Sequence, residues 1–268
     1  MLKKLLKYDL KSMMKYWWIA ALASFVATLI GGGCNLIINS EQYVLPVYVA
    51  IFLRFSVFLA IVAMVALPLI SHILIYVRFY KNFFTDEGYL TFTLPVKRSQ
   101  LLNSKLISAT IASAVSTLAL LVEVLIFTAI STINLPYEEI TIDKTYKFDI
   151  FDVGFILEIF VFFILVTIVS VLFTFCCITV ASVIAKKAKL ITAIGIYYGT
   201  STIMSGVLEF AYLFGGIALI EKLISLQKTM VKPTIFIVVL CIIVFLAIVS
   251  LLLYLLEYFM LDRKLNLS

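Results

Sequence analysis

The sequence predicts an all-α integral membrane protein with six transmembrane helices, and three observations predict it. Hydrophobic residues fill 64% of the 268 positions and charged residues only 13%, about half the share of an ordinary soluble domain. The mean hydropathy is +1.17, more apolar surface than a water-soluble globule of this size can bury. Apolar runs also recur at or above the roughly 20 residues that a helix needs to cross a bilayer. Six such spans leave room for short loops and for no large soluble domain, so residues 1–268 read as one transmembrane domain.

Residues 1–15 read as an interfacial amphipathic helix. At about 100° per residue, Lys4, Lys7, Lys11 and Lys15 share a narrow arc, with Leu2, Leu5, Leu6, Leu10 and Met13 opposite. Such a helix lies along the membrane surface with its lysines towards anionic headgroups. A secretory n-region is the weaker alternative, because the apolar run that follows exceeds a typical h-region and no cleavage site follows it. The spans are then 17–38, 47–80, 106–130, 153–185, 190–208 and 234–261. In the first, Ala20, Ser24, Ala27 and Gly31 repeat at helical spacing and suit close packing, while Tyr16, Trp17 and Trp18 mark an interface. The second and fourth are longer than a hydrocarbon core requires, and Pro68 is a candidate kink in the second. Residues 206–232, with Gly206, Gly215 and Gly216, are less regular.

Charge sets the orientation. Five lysines precede the first span, and Arg78, Lys81, Lys97, Arg98 and Lys105 surround the loop after the second. Lys186, Lys187 and Lys189 form a basic turn after the fourth span, whereas the loop after the third carries Glu138, Glu139, Asp143, Asp149 and Asp152. The positive-inside rule places both termini, the 82–105 loop and the basic turn in the cytosol.

Several chemistries are excluded. One histidine, His72, leaves no His-based zinc cluster, and it reads as a packing residue. Cys34, Cys176, Cys177 and Cys241 form no C-x-x-C pair, and Cys176 and Cys177 read as small apolar residues. The chain has no P-loop, no G-x-S-x-G elbow and no H-E-x-x-H helix. No metal site and no catalytic residue are expected. The basic residues flank spans and form no nucleic-acid groove.

The loop after the second span holds the most information. In Phe83-Phe84-Thr85-Asp86-Glu87-Gly88-Tyr89-Leu90-Thr91-Phe92-Thr93-Leu94-Pro95, Thr85 is placed to cap a short helix with acids in its first turn. Ser99 is placed to cap the helix that enters the third span. The loop exposes Tyr89, Leu90, Phe92 and Leu94 on the cytosolic side. Aromatics resting on the inner membrane surface are one reading. A docking element is the other, since a connector between antiparallel helices needs only a few residues and an exposed apolar patch marks a partner.

The segment FFTDEGYLTFTLPVKRSQLLNSKL resembles the first cytosolic loop of ABC-transporter permeases of the ABC-2-type exporter class, most of all the small six-span permeases of Gram-positive bacteria. The opening MLKKLLKYDLKSMMKYW is similar to their N-terminal helix. The resemblance implies a type V exporter half in a bacterial plasma membrane. It implies a coupling helix between spans two and three, with Phe83, Thr85, Asp86, Glu87, Gly88, Tyr89, Leu90, Phe92 and Leu94 coupling the chain to an ATPase. It also implies re-entrant outer helices over 206–232, a second permease subunit (the same chain or a related one), and a separate ABC ATPase subunit that binds ATP and Mg. No cofactor is implied on this chain.

Within the spans, Arg54, Glu123 and Glu158 fall at similar depth near the outer interface. Charges there cost a few kcal/mol unless paired or hydrated. Arg54 pairs with Glu123 or Glu158, or each reaches water separately; the sequence leaves both open. Gly195-x-x-x-Gly199, continued by Gly206, allows close helix approach, with packing inside one subunit the expected use. The functional expectation is therefore a translocase subunit without its own nucleotide site, moving a hydrophobic or amphipathic cargo such as a peptide toxin, antimicrobial peptide, lipid or drug. The alternative is an ATP-independent membrane scaffold or sensor.

Overall fold

A computed structural model describes residues 2–40, 46–85, 87–88, 93, 98–133, 150–185, 188–216, 218, 221 and 228–263. Among them no strand occurs. The helices are α1 (Leu2–Asn39), α2 (Val47–Phe84), α3 (Arg98–Ser131), α4 (Ile150–Ile184), α5 (Lys189–Ala211) and α6 (Lys228–Arg263), with a π-helical turn at Tyr212–Gly216 after α5. All six long helices are long and apolar enough to cross a membrane. In hydrocarbon every backbone polar group must find its partner inside the protein, and a helix does this within one segment.

The helices outrun the expected spans. The boundary expected near Tyr16 is absent, because α1 is continuous for 38 residues, about 57 Å at ~1.5 Å per residue. Nothing between Leu2 and Ile30 is a Gly or Pro breaker. α2 continues to Phe84 and α3 starts at Arg98, just before the expected cap Ser99. α2 also continues through Pro68, whose missing N–H leaves the Met64 carbonyl without its helical donor. Over the expected re-entrant stretch, α5 runs on to Ala211 and into the π turn, and residues 228–232 belong to α6. The remainder of that stretch, apart from 218 and 221, lies outside the described residues.

The chain divides into two compact units. The first comprises Met1–Arg78 and Asn103–Thr145. In it α1 and α3 run parallel, with α2 antiparallel to both, as successive contacts along the helices require. Asp9 Oδ1 meets Lys105 Nζ at 2.6 Å and Arg78 Nη2 at 3.6 Å. Trp17 Nε1 donates to Ser116 Oγ at 2.7 Å, and the Ser71 and Ser116 hydroxyls bond each other. Further along, Ser24 Oγ donates to Glu123 Oε2 at 2.6 Å. Gly31 then lies against Ala60, with Phe127 3.6 Å from where its Cβ would be, so α1 and α2 touch where only a glycine fits. The expected small-residue seam thus packs inside the unit.

The second unit comprises Phe79–Leu102 and Tyr146–Ser268. Here α4 and α6 run parallel: Phe155 meets Phe236 at 5.9 Å between ring centroids, Cys176 Sγ donates to the Leu253 carbonyl at 3.5 Å, and Thr179 Oγ1 donates to Glu257 Oε1 at 2.7 Å. α5 returns along α4 after a turn in which Ala188 adopts a left-handed φ of 56°, a conformation that an L side chain rarely takes. Cys176 and Cys177 are buried, and Cys177 Sγ lies 3.9 Å from Thr200 Oγ1.

Candidate functional site

The loop between α2 and α3 is anchored at both described ends. At its entry, the last turns of α2 bring Phe79 and Phe83 inward, each 1% exposed. The Phe79 ring stacks on Phe175 of α4 at 3.8 Å and 8°, and on Phe83 at 4.8 Å. Phe83, expected among the docking residues, is therefore an anchor and presents no outer surface. Thr85 also differs from expectation. Its hydroxyl donates backwards to the Lys81 carbonyl at 2.6 Å and not forwards as a cap, while Glu87 and Gly88 just beyond it are helical. The reason is that α2 runs to Phe84, which makes Thr85 the residue that serves α2's orphaned C-terminal carbonyls.

The chain then folds tightly. Gly88 N–H donates to the Thr85 carbonyl at 2.7 Å. A Cβ on Gly88 would sit 2.7 Å from the Phe83 carbonyl oxygen, a backbone atom that cannot yield. Glycine is thus required where the loop crosses the end of α2. Thr85 and Glu87 are exposed beside it. Asp86, Tyr89, Leu90, Phe92 and Leu94 lie outside the described residues. At the loop's exit, Arg98 Nη1 donates to Asp262 Oδ1 at 2.9 Å and to the Asp262 carbonyl at 2.8 Å.

The intramembrane ionisable residues separate. Glu123 is buried and receives the Ser24 hydroxyl. Arg54, on α2, is exposed, and no ion pair joins it to Glu123 among the described residues. A serine on α1 thus occupies one of the two carboxylates that the sequence offered to Arg54. Glu158 is 6% exposed, and neither carboxyl oxygen has a hydrogen-bond partner among the described residues. A Cβ built on Gly195, Gly199 or Gly206 meets nothing within 4 Å, so the expected packing of these glycines within the subunit does not occur among the described residues. They lie on an open face of α5.

Sequence reasoning missed two polar centres. One is Asp9, 3% exposed, between Lys105 and Arg78. Its signal was present: at about 100° per residue Asp9 falls in the middle of the leucine arc, roughly opposite the lysines. The other is Glu257, 0% exposed, held by Thr179 through one oxygen while Oε2 has no hydrogen-bond partner among the described residues. An acid inside the apolar run LLLYLLEYFML was its signal. Trp17, expected at a lipid interface, is instead 5% exposed and bonded to Ser116.

The fold and these centres define a multi-pass, all-helical membrane protein. No family model matches the chain, no curated protein matches it, and no solved structure matches it.

Proposed function

We propose that the chain is the membrane-spanning permease subunit of an ATP-driven exporter of the ABC-2-type class, set in a bacterial plasma membrane with both termini cytosolic. It performs no covalent chemistry. A separate ATPase subunit binds ATP and Mg and docks on the 82–105 loop, and a second permease subunit completes the pathway. ATP favours the closed ATPase pair, and that preference shifts the population of the whole assembly through the loop. The cargo is hydrophobic or amphipathic, in keeping with spans that carry few polar groups.

The observation that carries this reading is the loop's anchoring. A passive connector needs neither a buried aromatic foot at Phe79 and Phe83, nor a glycine without room for a Cβ, nor an arginine clasp at its exit. A loop that receives force needs firm footings. The sequence likeness of the same segment to exporter coupling loops supports the same conclusion.

Purification of the full chain from native membranes tests it. A P-loop ATPase is expected to copurify and to be lost when Asp86, Glu87 and Tyr89 are all replaced by alanine. An ATPase retained with unchanged turnover by that variant counts against the coupling role. If the wild-type chain retains no ATPase, the reading gives way to an ATP-independent membrane scaffold or sensor.

A further inference from the structure

The loop's two footings stand on two helices that are bonded to each other. At the entry, Phe79 stacks on Phe175 of α4. At the exit, Arg98 reaches the last turn of α6, with Nη1 2.9 Å from Asp262 Oδ1, 2.8 Å from the Asp262 carbonyl and 3.4 Å from the Leu261 carbonyl. The last carbonyls of a helix lack donors within the helix, and a cation there also opposes the negative end of the helix dipole. One helical turn before Leu261 on α6 lies Glu257, and one turn after Phe175 on α4 lies Thr179, spacings that put each pair on one helix face. Thr179 and Glu257 are joined at 2.7 Å. The contacts form a closed frame: loop entry, α4, α6, loop exit.

We propose that Arg98 is a positioning residue that fastens the loop's exit to α6, so that a load on the loop moves α4 and α6 together. This rests on the reading of the loop as the ATPase dock. The side chains of Arg98 and Asp262 are 51% and 48% exposed, and exposed ion pairs add little to stability. Direction is what Arg98 supplies: a single guanidinium nitrogen, Nη1, reaches a carboxylate and two helix carbonyls at once.

The test uses the full chain in lipid nanodiscs, with its four cysteines replaced by alanine and spin labels at Gln100→Cys and Leu255→Cys. The distance distribution is expected to be narrow in this parent, broad in Arg98→Gln and largely restored in Arg98→Lys. In the complex with the copurified ATPase, Arg98→Gln is expected to keep the ATPase at unchanged stoichiometry. Its stimulation of ATP turnover falls about fivefold or more, and Arg98→Lys recovers most of it. The proposal is overturned if Arg98→Gln leaves both the distribution and the stimulation unchanged, a result that keeps the dock itself intact. It is also overturned if stoichiometry, thermal stability and turnover all fall together, which marks a general structural role. If the unmutated chain binds no ATPase, the docking reading fails and takes this inference with it.

Discussion

The two units solve the same packing problem by different chemistry. Between helices in a bilayer, leucine gives little drive to associate, since lipid tails are equally apolar. The α1–α3 unit answers with polar stitches along its length: Asp9 with Lys105 and Arg78, Trp17 with Ser116 and Ser71, and Ser24 with Glu123. Each stitch names its partner, so a slip of register by one residue breaks all of them. The α4–α6 unit relies on rings, thiols and shape, with Phe175 against Phe79, Phe155 against Phe236 and the Thr179 hydroxyl on Glu257. The first unit is specified by charge and hydrogen bonds, the second by fit. They are therefore expected to fail differently.

The largest expected effect is at Asp9. Asp9→Ala leaves the Lys105 ammonium, 6% exposed, without its carboxylate, and breaking a buried pair costs about 3–5 kcal/mol. Replacing Asp9→Leu together with Lys105→Leu is expected to recover much of that, because well-packed apolar residues substitute for a buried pair at little net cost, the remainder being the contact of Asp9 with the 30% exposed Arg78 at 3.6 Å. Thermal unfolding followed by the fluorescence of Trp17 and Trp18 reads both variants. Equal losses in the single and double variants would mean that the pair itself is not what holds α1 in place.

This contrast also explains what the sequence disclosed. Span number and order were legible because hydrophobicity is summed over some 20 residues and needs no partner. The small seam Ser24 and Gly31 was legible from its spacing. The ends were not: periodicity alone does not say that α1 passes unbroken through Tyr16, since that depends on Asp9, Met13 and Trp17 being buried against other helices. Pairings were the least legible. Glu123 offered several partners in one dimension, and only the approach of α1 to α3 selects Ser24 over Arg54. Within the candidate site, Gly88 stood out as a loop residue, but the reason for it, the Phe83 carbonyl 2.7 Å from its absent Cβ, is a property of the folded turn.

In the second unit the equivalent blow falls at Phe175. Phe175→Ala removes a ring stacked at 3.8 Å on Phe79 and leaves a cavity, expected to cost about 3 kcal/mol, the lower end for a core phenylalanine. Hydrogen exchange read by mass spectrometry is the measurement. Protection is expected to fall in peptides covering 79–84 and 171–179 and to stay unchanged over 13–28, where the polar stitches lie. A uniform loss over both regions would erase the distinction between a stitched unit and a fitted one.

The smallest effect sharpens the comparison most. Thr179→Val keeps the side-chain shape and removes the one hydroxyl that donates to Glu257 Oε1. Interhelical hydrogen bonds in membranes average about 0.6 kcal/mol and reach about 1.7, and burial of the acceptor raises the loss above the average. A cost of about 1 kcal/mol is therefore expected. Glu257→Leu, combined with Thr179→Val in a double-mutant cycle of unfolding free energies, isolates the bond. A coupling energy of that size makes Thr179–Glu257 the register mark of α4 on α6, the counterpart in the fitted unit of the stitches in the other. A coupling near zero assigns that register to the rings and to Gly154, whose Cβ would lie 2.8 Å from Phe236, and leaves the second unit held by shape alone.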